Sequence, residues 1–546
     1  PRWEKILLEG DDPGPSAIMG TFGRLRYVPD KKMFMLINRV AVEDDGFTLI
    51  KTAEQANVFF FRLPARFYAN GSVPVPEVPV SDVVARETET STDTLNQNIK
   101  HLYPLGNLAN ALAELIPGDT LIIHEGEHFI DKYVAINQSA TAAAPIIIQG
   151  AEGENRPLIS TRVHVGENTF NIIGNSSYIT VKGLEVTNGN HEDAFKLSGG
   201  HISHVTLEDL DIHNVSIGIR VATDADHIII RDNHIHNTGQ RRLDENGSLR
   251  GFSTGEGMYI GCYRGDCIVS DSIVENNLIH DSDPAAEQGD GIEFKTRSHD
   301  NIIRDNVVYN MGSATFGDYG GILVWGWSEA EDTGGWGDNI IERNVVWGKG
   351  TIRDVGIEAV SHAQVRNNII FDVYTGLASN PQFDGGSPYL NIPVKDVSIV
   401  NNTVTNSRIA TRLIWEETDN AVFANNIIQS TNPGEGYAVE CRSTLQGTFA
   451  KNVFQGRFSC PMPEGGFGGF IENNALSSQL QGFASNNYWL NPGASSLIGN
   501  GAIQFAPVDD FNGSQRNNPI DIGAYQTSGQ ATNPGWLIQS GSFKLP

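Results

Sequence analysis

Positive charge is scarce in this chain. Its 546 residues carry 38 Lys and Arg against 65 Asp and Glu, a formal net charge of −27. That balance argues against nucleic acid as a general partner, because gripping a phosphate backbone takes a surplus of cations. A polyanionic ligand would need a local cationic strip or bound divalent ions. Long apolar runs are missing as well. No stretch of about 18 apolar residues occurs, so no segment is suited to span a membrane as a helix. Charged residues make up only 19% and aromatics 9%, while Gly contributes 58 residues. Such a mixture suits a turn-rich β protein better than a helical one. Cysteine is limited to Cys262, Cys267, Cys441 and Cys460. These fall into two sequence-local pairs, compatible with two small disulfides in an oxidising compartment, with four unpaired thiols as the alternative. Zinc ligation wants tighter spacing. The expected location is secreted or cell-surface, extracellular or periplasmic. The opening Pro1-Arg2-Trp3-Glu4 contains neither an initiator Met nor a signal peptide, as expected of a processed or truncated piece of a longer chain.

Four regions are expected. Residues 1–62 read as β hairpins: Arg24–Val28 and Met33–Ile37 flank the turn Pro29–Lys32, and Asn57–Phe61 follows. The stretch from Gly20 to Asn38 resembles the closing strands of a propeller-type module. Residues 63–100 read as a linker, with Pro64, Pro74, Pro76 and Pro79 followed by a Glu/Thr-rich run. Residues 101–530 read as a solenoid, and 531–546 as a C-terminal tail. Leu105–Ile116 reads as a short amphipathic helix covering the first coil, stopped by Pro117-Gly118-Asp119.

The solenoid rests on a repeat. From about residue 170 the phrase strand, polar pair ending in Asn, second short strand recurs, as in Ile229–Asn237 and Ile302–Asn310. The marker Asn returns at 233, 277, 306, 344, 368, 402, 426 and 452, with shortest intervals of 24 residues. A period in the twenties with β-type alternation predicts an all-β, right-handed parallel β-helix. Asn suits the bend because it tolerates the left-handed backbone region, and identical amides can stack between coils. Longer intervals of 44, 38 and 34 residues place insertions at Thr238–Thr254, Trp327–Asp338 and Asn380–Val394, each at one end of a third strand. Loops gathered about one strip are expected to wall a groove. His234, His236 and His280 recur at the bend and read as stacked structural residues. The looser region from about 455, with Asn518–Tyr525, reads as protection of the solenoid's end.

The third strands align on a small residue: Ala194-Phe195-Lys196, Gly218-Ile219-Arg220, Gly257-Met258-Tyr259, Gly291-Ile292-Glu293, Gly321-Ile322-Leu323 and Gly356-Ile357-Glu358. Alternation sends Lys196, Arg220, Tyr259, Glu293, Leu323 and Glu358 outward in one column, with Lys295 and Trp325 in a second. Coils about 4.8 Å apart approximate one sugar residue, so the column offers about one side chain per monosaccharide. Lys196, Tyr259, Trp325, Trp327 and Trp336 are the expected sugar contacts.

Gly289-Asp290-Gly291-Ile292-Glu293-Phe294-Lys295, followed by Asn301-Ile302-Ile303-Arg304, resembles the lysine-bearing coil of β-helical polysaccharide lyases. Family-nine pectate lyases are the nearest pattern. The chondroitinase B and alginate lyase family shares Pro117-Gly118-Asp119-Thr120, but the arginine-bearing coil expected next in that group is replaced by Gly321–Trp327. The fold resemblance covers roughly 101–525. It implies β-elimination on an acidic, uronate-containing polysaccharide, in which a site neutralises the carboxylate and sets a neutral base against the C5 proton. Lys295 is the candidate base, its pKa lowered by nearby cations, with Arg220 or Arg297 sharing the neutralising role. Glu256, Asp290 and Glu293 are candidate ligands for Ca²⁺, which prefers hard oxygen donors. Asp290 and Glu256 have inward parity and can serve only if their strands begin after them.

Two rivals stand beside this reading. A glycoside hydrolase needs two carboxylates, which Glu256 with Glu293 or Asp290 supply. The motifs of β-helical polygalacturonases and mannuronan epimerases are missing, the latter's Asp-Pro-His-Glu giving way to Asp283-Pro284-Ala285-Ala286. A non-catalytic carbohydrate-binding adhesin would merely display the solenoid.

Overall fold

The computed structural model describes paired strands within residues 25–61, and residues 98–535 apart from short stretches at 132, 162–167, 189–191, 244–248, 252, 313–318, 329–334, 349–353, 384–387, 432–434 and 461–467. Two compact units divide at Thr92 and Asp93. In the first, Leu25–Val28 pairs antiparallel with Met33–Asn38, which pairs antiparallel with Asn57–Phe61. The expected linker lies outside the described residues up to 97, and the tail lies outside them from 536.

The second unit is a right-handed parallel β-helix. Among the described residues, a 25-stranded sheet and a 13-stranded sheet wind around one apolar core. The larger sheet supplies two faces, because long strands such as Phe195–Glu208 run past a corner and pair with Ile219–Asp226 on one side and Ile229–Arg231 on the other. The smaller sheet is the third face. Inward residues of the site face, including Phe195, Ile219, Met258, Ile292, Phe294 and Ile357, are fully buried, and each such side chain contributes about 1.5–3 kcal/mol by leaving water. The helix at the first coil is shorter than expected, Leu108–Ala113, capped by the Asn107 side chain accepting from the Asn110 amide.

The marker asparagines form a continuous buried ladder. From Asn233 to Asn452, each Oδ1 after the first accepts both the backbone N–H and the side-chain amide of the preceding marker, as Asn306 donates to Asn344 at 3.0 Å twice. One part of the reading needs correction. The left-handed residue is the one before each marker: Asp232, Asn276, Asp305, Arg343, Asn367, Asn401, Asn425 and Lys451 all have φ between 54° and 58°. The marker itself turns inward, where its amide satisfies backbone groups at the corner.

The region from 473 does more than protect an end. Tyr488, Trp489, Leu497, Ile522 and Tyr525 pack on Leu278, Val307, Val345, Ile369, Ile427 and Val453, the outward residues of the third sheet. Arg516 pins this segment sideways: its guanidinium donates to Asn367 Oδ1 at 2.8 Å and to the carbonyls of Gly523 and Ala524 at 2.9 Å. The outward positions of that sheet are therefore covered from Leu278 to Val453.

Candidate functional site

Local backbone geometry fixes the site. At Gly257 a Cβ would lie 2.6 Å from the Gly291 carbonyl oxygen, and at Gly291 one would lie 2.6 Å from that of Gly321. At these two positions a side chain would crowd the next coil, so glycine is required there. Just beyond it the ladder register is Lys196, Arg220, Tyr259, Glu293, Leu323, Glu358, each beside the next. The expected outward column is thus in place. Strands Met258–Ile260 and Ile292–Phe294 begin after Glu256 and Asp290, so the parity objection to those two carboxylates disappears.

Glu256, Asp290 and Glu293 converge, with one oxygen from each within 4.8 Å of the others, and all three are buried. Asp290 Oδ1 accepts the Gly320 N–H at 2.9 Å, and Glu293 Oε1 accepts from Trp325 Nε1 at 3.2 Å and from the Lys295 ammonium. Four buried oxygens, both of Glu256, Asp290 Oδ2 and Glu293 Oε2, find no hydrogen-bond partner among the described residues. Burial and the neighbouring Glu293 push Glu256 up to about 7. Burial, then Glu293 and Glu256, also raise Asp290 well above the ordinary carboxylate range.

Lys295 is 1% exposed. Its Nζ lies 4.4 Å from the centre of the Tyr259 ring, 5.5 Å from Trp325 and 5.7 Å from Tyr263. Here the expected charge state is corrected. Burial pushes the amine down, but Glu293, Tyr259 and Glu256 outweigh it and hold the pKa above the usual lysine value. The expectation of nearby cations failed because carboxylates are its neighbours.

The remaining candidates separate into two groups. Arg220 stays on the site face, 5.1 Å from the Tyr259 ring centre and 3.8 Å from Asp193, with half-buried Lys196 beside it. Arg297 does not join them. It takes φ 69°, leaves the strand direction, donates to the Gly265 carbonyl at 2.8 Å and lies over Tyr389 at 4.7 Å. Trp325 belongs to the site, but Trp327 and Trp336 turn away. Gly326, with φ 71°, reverses the chain after Trp325. Trp327 then stacks on His362 at 3.4 Å and Trp336 on His299 at 4.3 Å, in a cavity with Asp338, Asp396 and Gln364.

Tyr263 was not foreseen. It sits between Cys262 and Cys267, which are bonded, as are Cys441 and Cys460. The disulfide follows directly on a site strand, and that adjacency was the available signal.

A family model described as a right handed beta helix region matches residues 151–346. No curated protein matches the chain. Among solved structures, XylC in complex with xylose is similar at 11% identity with a TM-score of 0.51, covering 78% of this chain and 98% of that one. Pectate lyase Pel9A is similar at 15% identity with a TM-score of 0.43, covering 79% and 96%. A PL6 family polysaccharide lyase from Pseudopedobacter saltans stands at 15% identity and a TM-score of 0.42, covering 69% and 93%. At these identities the likeness concerns the fold.

Proposed function

We propose that this protein is a secreted polysaccharide lyase that cleaves a uronate-containing polymer by β-elimination, with Lys295 as base and a calcium ion at Glu256, Asp290 and Glu293. The observation that carries the reading is the lysine caged against three buried carboxylates at the centre of the outward column. If all ionise, three carboxylates against one ammonium leave two excess negative charges, which a divalent cation balances. Four unpartnered carboxylate oxygens suit a hard ion. Such an ion would supply charge that neutralises the substrate carboxylate and acidifies the C5 proton.

The chain's own residues divide the remaining work. In the ion-free protein Glu293 holds Lys295 protonated. A cation held by the carboxylates would weaken that hold and favour the neutral amine, the form in which Lys295 would take the C5 proton. Tyr259 and Trp325 orient it through their ring faces. Arg220 and Lys196, one and two coils before Tyr259, are placed to receive carboxylates of neighbouring sugar units.

One observation favours a second reading. A proton-retaining Glu256 beside Glu293, bound to an ammonium, is the kind of split pair that glycoside hydrolases use. Product chemistry separates the two. Incubation with uronate polymers should generate near-ultraviolet absorbance from the unsaturated sugar end. New reducing ends without that absorbance would replace the lyase with the hydrolase, and neither signal would leave a binding protein.

A further inference from the structure

A second cluster of chemistry-bearing side chains lies on the third sheet, ahead of the point where the C-terminal segment covers it. Asp211–His213, His234–His236 and Leu278–His280 are adjacent strands, registered so that Asp211 lies beside His234, and His213, His236 and His280 form one row. The imidazoles of His213, His236 and His280 stack at 5.2 and 5.3 Å. Stacking alone fits a structural ladder, but the polar contacts do not stop there.

Asp211 Oδ1 lies 3.2 Å from His234 Nδ1 and 3.3 Å from His236 Nε2, and one ligand atom from each of the three residues falls within 4.8 Å of the others. Metal–ligand bonds of about 2.0–2.1 Å in tetrahedral geometry put neighbouring ligand atoms roughly 3.3 Å apart. The two contacts therefore have the length of tetrahedral edges.

The proton count points the same way. His280 Nδ1 lies 2.9 Å from Asp281 Oδ2, so that nitrogen carries the proton and donates. A neutral His280 then has a lone pair on Nε2, which is 2.9 Å from His234 Nε2. His234 must donate there, so its own Nδ1 is left with a lone pair aimed at a carboxylate oxygen. Two acceptors 3.2 Å apart require something positive between them, either an extra proton on His234 or a cation. His236 Nδ1 contacts the Asn237 amide at 3.0 Å, and that amide serves either tautomer by rotating. Glu185 is engaged by His213 at 3.0 Å and does not enter the set.

We propose that Asp211, His234 and His236 form a three-ligand site for a zinc-class transition-metal dication, with its remaining position open to solvent. Two imidazoles and one carboxylate are a donor set such ions prefer over calcium. The ion would clip the coil of Asp211 to the coil of His234 and His236.

The test uses the whole chain, stripped with chelator and titrated calorimetrically with ZnCl2 and spectroscopically with CoCl2. Asp211→Asn keeps the shape of the carboxylate, and His236→Phe keeps the ring stack while removing the ligand. Glu256→Gln alters only the other carboxylate cluster. We expect wild type to take up zinc and show tetrahedral cobalt d–d absorption. Either ligand variant should lose one equivalent or weaken it about 100-fold, while Glu256→Gln keeps it. No uptake by wild type, uptake unchanged in both ligand variants, or loss in Glu256→Gln alone each overturns the assignment. If His236→Phe fails to fold, Asp211→Asn decides.

Discussion

The amine of Lys295 stands 4.4 Å from the centre of the Tyr259 ring, across the step between two consecutive coils. The contact joins the two columns of the site face, since Tyr259 belongs to the same column as Glu293. Replacing Lys295 with Ala should lower formation of unsaturated product by about 100- to 10,000-fold, the usual range for loss of a general base. Affinity for the polymer, measured by calorimetry, should change little. A comparable loss in binding would instead make the lysine a substrate contact.

Without a metal, the buried carboxylates repel one another and four of their oxygens are unpaired among the described residues. Above about pH 7, where Glu256 ionises, Glu256→Gln should therefore stabilise the chelated protein by about 1–3 kcal/mol, because it removes an uncompensated buried charge. The same variant should lose the rise in melting temperature that calcium gives wild type. Calorimetric melts with chelator and with CaCl2 read both effects. An equal calcium response in the variant would remove Glu256 from the ligand set.

Asn344 makes ladder bonds in both directions, accepting from Asn306 and donating to Asn368 at 3.0 Å and to the Ile303 carbonyl at 2.9 Å. Asn344→Ala leaves two buried backbone groups of the preceding coil, the Asn306 N–H and the Ile303 carbonyl, without this partner. The expected cost is about 3 kcal/mol or more, read from denaturant midpoints, with a larger effect than alanine at the exposed Tyr263.

Arg516 is buried and serves several carbonyls at once, though burial pushes it down to about 10. Lysine cannot reproduce that planar fork. Arg516→Lys should cost about 2–4 kcal/mol and expose the segment after 473 to protease before the coils themselves. Limited proteolysis with mass determination of the fragments checks the order.

The outward column and the asparagine ladder were legible because both follow from strict periodicity. Once glycines align the third strands, alternation decides which way Arg220, Tyr259 and Glu293 face. The approach of Glu256, Asp290 and Glu293 was only half legible, since it depended on where two three-residue strands begin. Arg297, Trp327 and Trp336 were expected from their residue types near the strip, and they lie past the strand ends at Phe294 and Val324. A left-handed residue, Arg297 itself or Gly326, follows each strand, and beyond it sequence spacing no longer tells direction. The charge state of Lys295 was not legible at all, because it depends on through-space neighbours from different coils. The lateral packing of the C-terminal segment did leave a trace. The outward column of the third sheet that carries Asp211 and His234 changes to Leu278, Val307 and Val345 in the coils that follow.

That lateral packing constrains how the chain is made. The greasy flank from Leu278 to Val453 is sheltered only once residues up to Tyr525 have been made. A nascent chain halted near residue 472 would present a long sticky stripe to its neighbours, an invitation to clump. The segment after residue 472 thus finishes what most of the solenoid had left open.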